Sequence, residues 1–122
     1  MIFSKSGAVW RVQTMPGLKP YFGMKGKSAE GKGIRVDLAR GALKAGAWHR
    51  ITCVWKKPVY ELYVDGKLVQ KSKKVLTPHP GGSINIGSYS GKSAFLKGRI
   101  DQIRLYNIAR PPQEGDEKLP KE

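Results

Sequence analysis

The acidic side chains are the first residues to examine for catalysis, because a pair of carboxylates can supply both a general acid and a general base. The acids on or beside predicted strands are Asp37, Glu61, Asp65 and Asp101. Hydrolysis of a glycosidic bond needs two carboxyl groups held roughly 5 to 9.5 Å apart. None of the four has a second acid two residues away on the same strand. The sequence therefore disfavours a glycoside hydrolase.

The histidines and the cysteine form no evident catalytic or metal-binding group either. His49 and His79 are the two histidines, and they belong to different predicted elements. Cys53 is the single cysteine, so an intrachain disulfide and a thiolate metal cluster are both excluded. Cys53 falls on the apolar face of a predicted strand, where we expect a small buried core residue and not a nucleophile. We predict that the protein is not an enzyme.

The net charge is the stronger functional signal. Lys and Arg number 23 against 9 Asp and Glu, which gives a formal net charge of +14. Four of the nine acids lie beyond residue 110, so the remainder of the chain is more basic still. Such a field attracts polyanions, whether sulfated or uronic glycans, nucleic acids or anionic membranes, and salt weakens it. The lysines are spread along the chain, so a surface kept soluble by excess lysine is the alternative interpretation.

The location of the protein is left open by the sequence. No apolar run approaches the roughly 20 residues of a membrane span. The first seven residues lack the basic-then-apolar layout of a signal peptide. We expect either a cytosolic protein or, if the chain belongs to a larger secreted protein, an extracellular or cell-surface location.

Alternating strands must position any functional side chains. In 60–65, Tyr60, Leu62 and Val64 share one face of a period-two strand. Asp65-Gly66 then predicts a two-residue type I′ turn, which needs positive φ at both positions. The return strand soon becomes rich in lysine, which is typical of an edge strand.

The remaining strands follow the same pattern of short alternating segments between Gly- and Pro-rich turns. We predict them over 8–15, 20–24, 33–38, 48–55, 83–88 and 98–107. In the last segment the apolar positions step irregularly, which predicts a bulge or twist near Asp101-Gln102. These elements indicate one all-β, antiparallel sandwich over 1–110. Residues 111–122 are predicted to be a disordered C-terminal tail or linker.

Four segments carry a resemblance to a known family. They are Trp48-His49-Arg50-Ile51, Leu62-Tyr63-Val64-Asp65-Gly66, Ile84-Asn85-Ile86-Gly87 and Gly98-Arg99-Ile100-Asp101-Gln102-Ile103-Arg104-Leu105-Tyr106-Asn107. Their order and spacing resemble the laminin-G-like domains of the concanavalin A-like lectin/glucanase superfamily. The resemblance covers about 2–110, is specific over 48–109, and implies an antiparallel jelly-roll β-sandwich.

The resemblance also implies a trimmed N-terminus. Family members usually begin with one or two strands upstream of the segment that resembles residues 2–5. A minimal or fragmentary version would leave an edge strand unpaired. That edge could be completed by a second copy, giving a homo-oligomer, by another domain, or not at all.

The function implied by the resemblance is a non-catalytic binding module for carbohydrate, including acidic or sulfated glycans, or for a protein ligand. Sugar recognition uses aromatic faces and orienting polar groups. The candidate ligand-binding residues are Trp10, Arg11, Tyr21, Arg35, Tyr63, Tyr89 and Arg99. The alternatives are a structural or protein-interaction domain without a small ligand, and a non-specific polyanion binder.

No cofactor is predicted apart from one candidate metal position. In related lectin-like sandwiches an aspartate near the last strand can help to hold a structural calcium ion, which makes Asp101 a candidate ligand by resemblance. Calcium needs six or more oxygen ligands, and the early chain has few acids to supply them. The alternative role of Asp101 is to accept backbone hydrogen bonds at the bulge.

Overall fold

The computed structural model of the chain describes residues 2–5, 10–78, 84–88, 96–106 and 108–113. Within these ranges the chain forms β-strands and no helix. The strands are β1 (Phe3–Lys5), β2 (Trp10–Met15), β3 (Lys19–Lys27), β4 (Gly33–Ala39), β5 (Ile51–Lys56), β6 (Val59–Val64), β7 (Lys67–Lys73), β8 (Thr77–Pro78) and β9 (Ile84–Ile86). It follows that no helix in this part of the chain is long and apolar enough to cross a membrane.

The strands form two antiparallel sheets. Sheet A has the order β4-β3-β2-β1-β9, with β8 pairing the end of β3. Sheet B has the order β5-β6-β7. All described pairings are antiparallel, which confirms the predicted all-β class.

The core lies between the two sheets and follows the period-two pattern of the strands. The even-numbered residues of β3 and β4 point inward and meet residues of β6. The buried cluster consists of Phe22, Met24, Val36, Leu38, Tyr60, Leu62 and Leu76. Burial of each such side chain contributes about 1.5–3 kcal/mol. The odd-numbered residues of β3 and β4 therefore form the outer face of sheet A.

Cys53 has the packing role predicted for it, but it is half-buried and not fully buried. It pairs with Leu62 across β5 and β6 and packs against the core cluster. Burial raises the pKa of the Cys53 thiol well above its usual range. A thiol that stays protonated is a poor nucleophile, so Cys53 is a core residue.

The β6–β7 hairpin and its turn are confirmed, although the pairing shifts register between Leu62 and Tyr63, which the sequence does not indicate. Val64 pairs with Lys67, and the two turn residues, Asp65 and Gly66, have φ values of 51° and 81°. Both are positive, as a type I′ turn requires. The strand β7 forms an edge of sheet B, as its lysines predict.

Two side chains on or just after β7, at the edge of sheet B, bond to the backbone of β4, the edge strand of sheet A. The Gln70 side-chain oxygen accepts a hydrogen bond from the Ala39 backbone N–H at 2.6 Å. The Lys74 ammonium donates to the Arg35 carbonyl at 2.8 Å. These bonds occupy backbone groups of β4 that would otherwise invite edge-to-edge pairing.

The prediction of a strand over 98–107 is wrong for the described part of that segment, 98–106. This segment is irregular, and Gln102 has a φ of 55°. The irregularity predicted at Asp101-Gln102 is thus a left-handed residue in an unpaired segment, not a bulge in a paired strand. A pattern of apolar residues does not by itself form a strand, because the backbone N–H and C=O groups of a strand need a neighbouring strand as their hydrogen-bond partner. None of the described strands pairs with this segment.

Candidate binding surface

The outer face of sheet A carries a group of cations that we call the cationic face. It consists of Arg11 on β2, Lys25 and Lys27 on β3, and Arg35 with the single acid Asp37 on β4. The register is free of bulges across β2, β3 and β4. Because side chains alternate between faces, these odd-numbered positions all point away from the core.

Tyr21 lies at the centre of this face and is almost fully buried there. A Cβ built on Gly23 would overlap the Tyr21 hydroxyl and ring, so the glycine allows that ring to lie flat on the sheet. The Tyr21 hydroxyl donates a hydrogen bond to Asp37. The Arg11 guanidinium carbon lies 5.3 Å from the centroid of the Tyr21 ring. Tyr21 is therefore a support for the cationic face and not an exposed platform for stacking.

Arg35 and Asp37 form a two-pronged ion pair. Arg35 Nη2 lies 2.8 Å from one carboxylate oxygen of Asp37, and Nε lies 3.1 Å from the other. Partial burial acts to raise the pKa of Asp37, but the hydrogen bonds from Arg35 and Tyr21 outweigh it and hold that pKa below its usual value. The Asp37 hydrogen bond correspondingly raises the pKa of Arg35. Asp37 is thus anionic at neutral pH and fixes the direction of Arg35.

Two cations of this face are directly opposite each other. Lys25 pairs with Arg35 in the β3–β4 register, on the same side of the sheet. Directly opposite side chains have Cβ atoms about 4.5–5.5 Å apart, and like charges there destabilise a sheet. Asp37 neutralises only part of the charge of the four cations. The cationic face therefore carries a net positive charge.

The predicted ligand residues are only partly brought together. Three of them are connected: Arg11 contacts Tyr21 directly, and Asp37 links Tyr21 to Arg35. The sequence-based list of ligand residues omits Lys25, Lys27 and Asp37. The signal that could identify them is that all three occupy odd-numbered positions of β3 and β4 and so share one face of the sheet.

The other predicted ligand residues lie elsewhere. Trp10 packs against the core cluster from the inner face of sheet A. Tyr63 lies on the outer face of sheet B, where burial and then the nearby Glu61 carboxylate raise its pKa. Arg99 is exposed in the irregular segment 96–106. Tyr89 lies outside the described residues.

Asp101, the predicted calcium ligand, is exposed in the same irregular segment. In the described ranges no three His, Cys, Asp or Glu side chains gather in a group that could hold a metal ion. Calcium binding at Asp101 stays a prediction.

The Trp-His-Arg and Val-Asp-Gly motifs meet in space and have a structural role. Asp65 accepts a hydrogen bond from the Arg50 backbone N–H at 2.8 Å, and its other oxygen lies 2.9 Å from His49 Nδ1. The Asp65 N–H donates in turn to the Arg50 carbonyl at 2.8 Å. These contacts tie the start of β5 to the hairpin turn.

Comparison with known proteins agrees with this architecture. The model of the Laminin_G_3 family, described as Concanavalin A-like lectin/glucanases superfamily, matches residues 1–114. A solved structure of an S-layer domain-containing protein from Clostridium thermocellum is 20% identical, with a TM-score of 0.44. That match covers 88% of this chain and 55% of the other, so the chain spans about half the length of that crystallised chain, which comprises residues 221–444 of its protein. No curated protein sequence matches the chain. Because the family model covers nearly the whole sequence, the chain belongs to the laminin-G family Laminin_G_3 of the concanavalin A-like superfamily.

Proposed function

We propose that the protein is a non-catalytic binding module that recognises acidic carbohydrate through the cationic face. The observation that carries the proposal is the in-register pair of Lys25 and Arg35, flanked by further cations and offset by one acid. Domains of this superfamily are often binding modules. Sulfate and carboxylate groups on a glycan would supply the missing negative charge.

Two arginines of the face are held in place before any ligand arrives. Arg35 is fixed by Asp37, which uses only part of its five-donor guanidinium. Arg11 lies over the Tyr21 ring, with its Nη2 3.5 Å from the Tyr21 hydroxyl oxygen. Guanidinium groups bind sulfate and carboxylate through paired hydrogen bonds. Side chains that are already ordered lose less conformational entropy on binding.

The partners of two acids, Asp37 and Asp65, support a non-catalytic role. The pKa of Asp37 is held below its usual value, whereas a general acid near neutral pH needs a raised pKa. Asp65 is engaged by His49 and by the Arg50 backbone. Both carboxylates therefore have structural partners.

A glycan array probed at low and at high salt tests the proposal. We expect sulfated and uronic glycans to be selected over neutral glycans, with a preference among them that persists at the higher salt. Duplex DNA on the same array measures the effect of net charge alone. Equal binding to heparin and DNA that salt abolishes would instead show a non-specific polyanion binder. Selective binding of neutral glycans would also contradict the proposal.

A further inference from the structure

A second surface, separate from the cationic face, is an open cleft beside strand β5. The cleft has a volume of about 1110 Å³ and lies between β5 and the irregular segment 96–106, reaching the inner face of sheet A. Small-molecule sites typically have volumes of about 300–1,000 Å³. The cleft is therefore large enough for a length of polypeptide.

One wall of the cleft is the open edge of β5. Every residue from 51 to 55 lines it, so the side chains of both faces and the backbone between them border the space. Among the described strands, β5 pairs with β6 alone. The Arg50 carbonyl bonds to the hairpin turn, and backbone groups alternate in direction along an antiparallel strand. The N–H and C=O groups of Ile51, Cys53 and Trp55 therefore point towards the cleft.

The opposite wall exposes large apolar side chains. Ile103 is 44% exposed, Leu105 63% and Tyr106 46%, and Ile108 beside them is 67% exposed. Trp55, on the β5 side, is 39% exposed. All five line the cleft. Apolar side chains gathered in this way mark a surface that a partner covers.

The charge at the cleft decides which partner fits. Six lysines and arginines line it, against Asp101 as the one acid among the described lining residues. Arg50 also reaches across the cleft, with Nη2 3.4 Å from the Gln102 side-chain oxygen. A second copy of this chain would bring a formal charge of +14 to a surface that is already cationic. Charge complementarity favours an acidic partner.

We propose that the cleft binds an extended, acidic segment of a partner protein, which adds a strand along the open edge of β5. Its backbone bonds to the outward groups of Ile51, Cys53 and Trp55, as in other strand-addition complexes. Its alternate apolar side chains enter the cleft and contact Leu105 and Ile103. Its aspartates and glutamates face the basic rim.

The test uses the full chain and three sets of synthetic eight-residue peptides. In each set Val, Leu, Ile or Phe alternates with one polar residue: Glu in the first set, Lys in the second and Ser in the third. We expect peptides of the Glu set to bind at least about tenfold more tightly than their Lys and Ser counterparts. The proposal is overturned if no set binds, or if the Lys or Ser peptides bind as well.

Two variants locate the binding. Leu105→Ser removes an exposed apolar contact in the cleft, and Leu68→Ser makes the same change on β7, outside it. We expect Leu105→Ser to weaken binding of the best Glu peptide at least about tenfold, with Leu68→Ser unchanged. If the two variants weakened peptide binding equally, the proposed binding site in the cleft would be wrong.

Amide hydrogen exchange on the unmodified protein provides a readout that does not depend on either variant. Bound peptide should slow exchange at Ile51, Cys53 and Trp55, and unchanged rates at these amides would contradict strand addition. Self-association of the peptide-free protein that Leu105→Ser abolishes would show that the occupant is a second copy, against the proposal.

Discussion

The Asp37 carboxylate organises the side chains of the cationic face. It accepts hydrogen bonds from Arg35 and from Tyr21, and the Tyr21 ring in turn lies beneath Arg11. One carboxylate thus sets the direction of two guanidinium groups, on β2 and β4, the strands on either side of β3. Partial burial disfavours the charged form of Asp37, but the hydrogen bonds to its two carboxylate oxygens outweigh that effect.

Replacement of Asp37 by Asn should lower stability in a pH-dependent manner. The pKa of Asp37 in the folded protein lies below the ordinary value of 3.8. The ionised form therefore stabilises the fold above the ordinary pKa, and this contribution is lost as the pH falls through the folded pKa. We expect D37N to unfold at lower urea concentration than the native protein at about pH 6.5, with a smaller difference at about pH 3. Equal differences at both pH values would show that Asp37 is not the titrating group.

The sequence identifies three residues of the cationic face but not their arrangement. Residue type alone makes Arg11, Tyr21 and Arg35 candidates. Their connection depends on the β2–β3–β4 register and on Gly23, whose missing Cβ lets the Tyr21 ring reach Asp37. No local pattern reports such a cross-strand contact, so in the sequence Asp37 is only an isolated acid.

Among the elements, the β6–β7 hairpin is defined most completely by its own residues. Alternation fixes its faces, and Asp65-Gly66 fixes its turn. The segment 98–106 is also predicted as a strand, yet it is not one, because strand formation needs a neighbour that the sequence does not identify. An element closed by a local turn is therefore predicted more completely than one that depends on a distant partner.

Asp65 links this hairpin to the start of β5, and its replacement should destabilise the protein. Ala loses the bonds to the Arg50 N–H and to His49 and must still adopt a positive φ. We expect Asp65→Ala to lower the free energy of unfolding by about 1–3 kcal/mol. Asp65→Asn should cost less, because Asn tolerates a left-handed backbone and retains an acceptor. Urea denaturation checks this order, and an Asn variant as unstable as the Ala variant would contradict it.

At the scale of the whole molecule, the sandwich separates two surfaces of different chemistry. The cationic face is flat and polar, on the outside of sheet A, whereas the cleft combines apolar walls with a basic rim and opens beside β5 in sheet B. The family motifs predict the sandwich most clearly at the hairpin 62–66, which contains turn and core residues. They leave the ligand unspecified, because ligand choice depends on surface side chains that the fold does not require.

A matched comparison of charge variants tests the central claim that the cationic face binds the acidic glycan. K25Q/R35Q removes two charges from the cationic face, and K67Q/K73Q removes two exposed lysines from β7. Both lower the formal net charge of +14 by two. Binding of a sulfated oligosaccharide is measured by titration calorimetry at physiological salt. We predict that K25Q/R35Q weakens binding at least about tenfold, or ~1.4 kcal/mol, while K67Q/K73Q stays within about twofold of the native protein. Equal weakening by both pairs, or no effect of K25Q/R35Q, would contradict the claim.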